Sequence, residues 1–255
     1  MTTHQLKGIL FDKDGTLIQF HSFWVPIAEE LTDRLLAELN GGLPASSGLK
    51  EKLLQSIGLN ANGKVDSKGY LAGGTTADIA GAYGEVLEAS GYGIEHMQRL
   101  LPWITDEIYR LTQVHRDQLL PTTDLNSLLP LLKDKGLKLG IATADDLEST
   151  LFFLNKYGIA GYFDFIGTSD RYEKKPSPVM MNEFCKLTGL QPSEVAIAGD
   201  TLTDMGFAQQ SNAGLAIGVL SGTSEREELA PYAGLILPSV GDLAYIDFHR
   251  KSDNR

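Results

Sequence analysis

Cysteine occurs once in the 255 residues, at Cys185, so the chain can hold no internal disulfide and no cysteine-rich metal site. A reduced, cytoplasmic setting fits that usage. Positive charge is scarce as well. With 22 Lys and Arg against 33 Asp and Glu, the formal net charge of −11 repels polyanions and argues against nucleic acid or an anionic membrane as the main partner. A phosphate-bearing ligand would need cations focused at one place. No apolar stretch reaches the ~18 residues of a membrane span, and residues 1–20 lack the basic start, apolar run and cleavage site of an export leader. Neither export nor a membrane span is expected. The histidines His4, His21, His96, His115 and His249 have no paired metal-ligand spacing, and no G-x-S-x-G nucleophile elbow occurs. Gly58–Val65 comes near a P-loop, but Val65 stands where that motif needs a hydroxyl, and a helical pattern precedes it. Gly58 reads better as a helix C-cap and Asn62-Gly63 as a turn. Gly91 and Gly93 lack the third glycine and preceding strand of a dinucleotide site. There is no tandem repeat, low-complexity linker or sign of an obligate protein partner, and only Lys251–Arg255 reads as frayed.

What is present is a globular composition, 42% hydrophobic and 22% charged, over a length that exceeds one ordinary domain of ~100–200 residues. Short buried strands are expected at Lys7–Phe11, Lys138–Thr143, Phe163–Gly167, Val195–Gly199, Gly214–Val219 and Gly234–Leu237. Their apolar runs are continuous rather than alternating, as strands covered on both faces require, and helix-length segments separate the later ones. A parallel sheet with helical crossovers follows. Asp145 and Glu148 have the spacing of a capping box for a helix over Leu147–Tyr157 that ends at Gly158. Pro178 opens another helix that closes at Gly189, and Leu125–Lys135 stops at Gly136. Between the first strand and Pro121 the alternation lapses. Phe23–Leu39, Leu49–Ile57, Ala77–Ala89 and Glu95–Leu119 have helical periodicity, broken at Asn40-Gly41-Gly42, Asn62-Gly63 and Gly91-Tyr92-Gly93. They read as a helical module inserted after the first strand.

Four segments carry chemistry. Phe11-Asp12-Lys13-Asp14-Gly15-Thr16 follows the first strand directly, so two carboxylates lie at the strand end where open α/β sheets bind ligands, and Gly15 permits a sharp turn. Taken alone it would serve equally well as a solvated acidic turn. Ala198-Gly199-Asp200-Thr201-Leu202-Thr203-Asp204 closes another strand; four-residue spacing lets Asp200 and Asp204 approach one point, where hard oxygens suit Mg²⁺. Helix capping by Asp200 and Thr201 is the plainer alternative. Thr143 ends a third strand and can donate to a phosphate, together with the amides of the next turn. Lys174-Lys175-Pro176-Ser177-Pro178 is a rigid turn that can aim one ammonium inward.

Taken in order, these segments resemble the haloacid dehalogenase superfamily, and most closely its phosphoglycolate-phosphatase-like branch with a helical cap. D-x-D-G-T falls on Asp12, Asp14, Gly15 and Thr16, the hydroxyl motif on Thr143, the lysine on Lys175, and G-D-x-x-x-D on Gly199, Asp200 and Asp204. Ala144 follows Thr143 where the family often has Asn or Ser, so only its backbone amide can assist a phosphate. The resemblance implies a doubly wound parallel α/β core from 1–18 and 121–255 with an α-helical cap over 19–120. It implies a Mg²⁺-dependent phosphatase acting on a small phosphate monoester, with Asp12 as nucleophile, Asp14 as acid and base, and Lys175 and Thr143 on the phosphoryl oxygens. Asp12, the Asp14 carbonyl, Asp200 and Asp204 would hold the metal. A phosphomutase and a non-catalytic phosphate-binding regulator are the rival readings. Within the cap, Gly69–Thr76 is the candidate loop for contacting the leaving group, with Tyr70 and Thr75 as donors.

Overall fold

The computed structural model describes residues 5–39 and 48–248. The Asn40-Gly41-Gly42 break, the Lys251–Arg255 end, His4 and His249 lie outside the described residues. In chain order, β1 (Gly8–Phe11) precedes the helices α1 (His21–Leu39), α2 (Leu49–Ser56), α3 (Tyr70–Gly73), α4 (Thr76–Ala89) and α5 (Ile94–His115). An alternation follows: α6 (Leu125–Asp134), β2 (Lys138–Ala142), α7 (Leu147–Lys156), β3 (Phe165–Gly167), α8 (Val179–Thr188), β4 (Val195–Gly199), α9 (Leu202–Gln210), β5 (Leu215–Val219), α10 (Arg226–Leu229) and β6 (Leu235–Leu237). The chain divides into two compact units, Met1–Gln19 with Leu120–Arg255, and Phe20–Leu119.

In the first unit the described strands form one parallel sheet in the order β3-β2-β1-β4-β5-β6. Both faces are covered, which is why β1 and β4 are buried at every position and read as unbroken apolar runs. Leu10 and Ile197 from the sheet pack with Met180 and Phe184 of α8 and Phe207 of α9. Each such side chain, fully buried, stabilises the fold by roughly 1.5–3 kcal/mol. After β1 the chain builds β2 and β3 on one side, then β4 to β6 on the other. Strand order therefore reverses between β1 and β4, where open sheets leave a crevice beyond the strand ends. Register fixes what meets there. Phe11 pairs with Ile141 on one side and Ala198 on the other, so Asp12, Thr143 and Asp200 all emerge at the same edge.

The other unit is helical. Within it α5 packs against α1 and α4, and α2 against the same two helices. Tyr83 is wholly buried there, and its hydroxyl meets Thr32 Oγ1 at 2.7 Å, which satisfies both polar atoms inside an apolar core. The Gly69–Thr76 segment, expected as a loop, contains a short helix and the start of α4. Tyr70–Gly73 is one turn of helix, and Thr75 is the N-cap of α4 in a reciprocal capping box with Asp78.

Both connections to the helical unit are fixed side by side in the sheet-bearing unit. Gln19 N–H donates to the Leu120 carbonyl at 2.8 Å, and the Thr122 hydroxyl donates to the Thr16 carbonyl at 2.6 Å. The insertion thus leaves and returns beside the turn that follows Asp12.

The start of α7 differs from the expected capping box. Asp146, not Asp145, is the N-cap, its carboxylate accepting from Ser149 N–H at 2.8 Å. The Asp145 carboxylate is occupied elsewhere, by the ammonium of Lys13 at 2.8 Å.

Candidate active site

The turn after β1 is built around one carbonyl. The backbone N–H groups of Thr16, Leu17 and Ile18 all point to the Lys13 carbonyl, at 3.3, 2.8 and 3.0 Å, and fold the chain back directly after Asp12. Gly15 sits at φ +84°, and a Cβ there would come within 2.5 Å of the Asp200 carboxylate. Glycine is needed on both counts.

Asp200, fully buried at the end of β4, is held by hydroxyls and an amide. Its Oδ1 accepts from Thr16 Oγ1 at 3.3 Å, and its Oδ2 accepts from Thr223 N–H at 2.8 Å and Thr223 Oγ1 at 3.1 Å. The backbone of Gly222 passes so close that a Cβ would lie 1.9 Å from Asp200 Oδ2. Thr201 caps α9, and Asp204 completes the capping box by accepting from Thr201 N–H and Oγ1 through Oδ2. That leaves Asp204 Oδ1 to face Lys175. Capping and the contact with Lys175 therefore use different oxygens of one carboxylate.

Lys175 is the inward lysine of its pair; Lys174 is exposed. Lys175 Nζ bridges Asp12 Oδ1 and Asp204 Oδ1 at 2.6 Å each. Burial works against its charge, but the two carboxylates outweigh that and raise its affinity for the proton, so it stays an ammonium. Asp12, Asp200 and Asp204 each offer an oxygen within 4.8 Å of the others. Burial is the main force pushing the Asp12 carboxyl from 3.8 up to about 7; Lys175 opposes it, and Asp204 and Asp14 add to it. The Asp200 carboxyl is likewise held well above its ordinary value, by burial and then by the charges of Asp12 and Asp204. One ammonium is insufficient for three buried carboxylates.

Thr143, buried at the end of β2, has its N–H bonded to the Gly167 carbonyl at 3.0 Å, while its Oγ1 accepts from Asp145 N–H at 3.1 Å. With that oxygen used as an acceptor, the hydroxyl proton is left to donate to an anion. Ala144, half-buried, begins the turn that follows.

A family model for haloacid dehalogenase-like hydrolases matches residues 6–212, which takes in all four motifs. The chain belongs to that family. Phosphoglycolate phosphatase of Vibrio vulnificus strain CMCP6 is 25% identical over 232 residues, covering 90% of each chain. That of Yersinia pseudotuberculosis is 27% identical over 248 residues, covering 92% of this chain and 94% of the relative. Among solved structures, a predicted phosphoglycolate phosphatase from Haemophilus somnus superposes with a TM-score of 0.70 at 19% identity, covering 95% of this chain and 98% of that one. A haloacid dehalogenase-like family protein from Streptococcus pneumoniae gives 0.63 at 20% identity, with 95% and 99% covered. The doubly wound core expected from the sequence is thus the fold of this hydrolase family.

The family's metal requirement can be tested against the donor set. Three buried carboxylates converge with one ammonium, and two of them bind protons far more tightly than ordinary acids. Hard oxygen donors in such excess fit a small divalent cation. The sequence motifs of this dehalogenase-like chain did not disclose Thr16, Thr223, Lys13 or Asp145 as parts of the site. Thr16 and Thr223 meet Asp200, and Lys13 meets Asp145, only through the fold. Tyr70 and Thr75 belong to the helical unit, where Tyr70 is 48% exposed and the Thr75 hydroxyl donates to Asp78 Oδ2 at 2.7 Å.

Proposed function

We propose that this hydrolase is a Mg²⁺-dependent phosphatase that cleaves a small phosphate monoester, of the phosphoglycolate or sugar-phosphate kind, through a phosphorylated Asp12. The observation that carries the reading is the buried arrangement of Asp12, Asp204 and Lys175, with Lys175 Nζ at 2.6 Å from both acids and Asp200 alongside. Asp12, the Asp14 carbonyl, Asp200 and Asp204 would hold Mg²⁺, which when bound supplies the positive charge that keeps these acids ionised and offsets that of the substrate.

Asp12 attacks phosphorus and displaces the leaving alkoxide, splitting one difficult displacement into two easier ones. Lys175 and the Thr143 hydroxyl hold the phosphoryl oxygens as charge spreads over them. Asp14 donates a proton to the leaving oxygen, then takes one from the water that hydrolyses the aspartyl phosphate and frees Asp12. The helical unit is assigned the role of a cap that selects the leaving group, because its two connections are fixed next to the Asp12 turn. A reducing cytoplasm suits a chain with one cysteine.

A panel of phosphate monoesters assayed with Mg²⁺ tests the proposal. Inorganic phosphate release that Asp12→Asn abolishes supports it. Transfer of the phosphoryl group to a second sugar hydroxyl would assign a mutase, and no turnover across the panel would leave a phosphate-binding regulator.

A further inference from the structure

Lys13 is fully buried, yet it is the residue between the two acids of the first motif. Its ammonium meets Asp14 Oδ2 at 2.8 Å and Oδ1 at 3.0 Å, and Asp145 Oδ2 at 2.8 Å. Nothing in the mechanism above uses it. A buried lysine needs counter-charges to stay, and here two acids from separate strand ends supply them, one of them the proposed acid and base.

Asp145 is itself held at several points. Its Oδ1 accepts from Asp146 N–H at 2.9 Å, its carbonyl accepts from Ser169 N–H at 3.0 Å, and its own N–H donates to Thr143 Oγ1 at 3.1 Å. Lys13 therefore ties Asp14, which stands on a turn and is partly exposed, to a rigid corner that also orients Thr143. The geometry points to Lys13 and Asp145 as positioning residues: together they fix the Asp14 carboxylate where it exchanges protons with the leaving group and water. This inference rests on the proposed phosphatase reading. Misplacing a catalytic group by about 1 Å can cost on the order of 100-fold in rate, so the anchor has a measurable share in the chemistry.

The test compares single-turnover release of the leaving group from an alkyl phosphate, which needs a proton, and from 4-nitrophenyl phosphate, which does not. Lys13→Met is expected to slow the alkyl ester by about 100-fold and the nitrophenyl ester by less than about 10-fold. Lys13→Arg should recover most of the loss, Asp145→Asn should fall between, and Lys13→Met added to Asp14→Asn should cost little more. Equal losses on both esters in a folded variant, or an additive double mutant, would overturn the positioning role. Should Lys13→Met fail to fold, Asp145→Asn carries the comparison alone. Crystal structures of the native chain and the variant decide the anchoring without any turnover: a displaced Asp14 carboxylate beside unmoved Asp12 and Lys175 supports it, and an unmoved Asp14 refutes it. Failure of the native chain on both esters would sink the phosphatase reading instead, and is distinguished in the same assay.

Discussion

Metal-free protein should lose stability as pH rises through neutrality, and Asp12→Asn should remove much of that loss. Burial, opposed by Lys175 and reinforced by Asp204 and Asp14, lifts the Asp12 carboxyl from 3.8 to about 7. A carboxyl whose pKa is higher folded than unfolded keeps its proton preferentially in the native state. Its contribution is therefore fully present below the unfolded value and is lost as pH rises through the folded one. A shift of roughly three pH units corresponds to about 4 kcal/mol in all. The sequence pI of 4.9 makes the acid end of that window impractical. Between roughly pH 5.5 and 8.5 about 2 kcal/mol of it remains, or a change of about 4–8 °C in Tm. The assay is thermal unfolding in excess chelator, reading the Tm of Asp12→Asn minus that of the native chain. Lys175 is ammonium throughout the window, and its attraction for ionised Asp12 is already contained in the value of about 7, so it adds no separate slope. The gap should widen with pH, and saturating Mg²⁺ should narrow it by favouring the ionised native site. A gap that stays constant or shrinks with rising pH would refute the reasoning.

Further outcomes follow from the same geometry. Asp14→Asn should cut turnover of esters with poor leaving groups by about 10²–10⁴-fold, and release of a nitrophenol leaving group should suffer less; equal loss for both would refute the acid role. Gly222→Ala would place a methyl group 1.9 Å from Asp200 Oδ2, so calorimetric Mg²⁺ affinity should fall sharply while the far-UV spectrum is retained; native affinity would contradict the packing. Thr75→Ala removes the α4 cap and should cost about 1 kcal/mol of stability. If Tyr70 and Thr75 also meet the leaving group, their alanine variants lose efficiency on a natural-size ester while a small generic ester is spared; equal effects would confine them to structure. Chelator should abolish phosphate release and Mg²⁺ should restore it, and turnover undiminished with all divalent metal removed would defeat the metal assignment.

The sheet was legible because β1, β2 and β4 are short apolar runs buried on both faces, a pattern that solvent-facing strands do not share. The ends were less so. β3 begins at Phe165, not Phe163, because Asp164 turns its carboxylate to Leu139 N–H at 2.9 Å and to Lys133 at 2.7 Å. Likewise α5 stops at His115, and a single 3-10 turn over Arg116–Gln118 replaces the rest of the expected helix. At the start of α7, Asp145 and Asp146 both have cap chemistry, and only the lysine 132 positions earlier decides which is available. Lys13 gave no local signal, since a lysine between two aspartates in a turn is ordinarily solvated. Asp12, Asp14, Thr143, Lys175, Asp200 and Asp204 could be proposed from the sequence because each adjoins a strand end, a turn or a helix start that the sequence itself marks. Their supports Thr16 and Thr223 act on Asp200 across 184 and 23 residues, and such pairings come only from the fold.

The most direct test of the central claim is chemical capture of the intermediate. The native chain, mixed with Mg²⁺ and a rapidly cleaved phosphate monoester and quenched in acid within the first turnovers, should have one phosphoryl group on the peptide that contains Asp12. Mass spectrometry of the digest should place it on that residue, and Asp12→Asn should take up none. A phosphoryl group on another residue, or Asp12→Asn turning over at the native rate, would contradict the account.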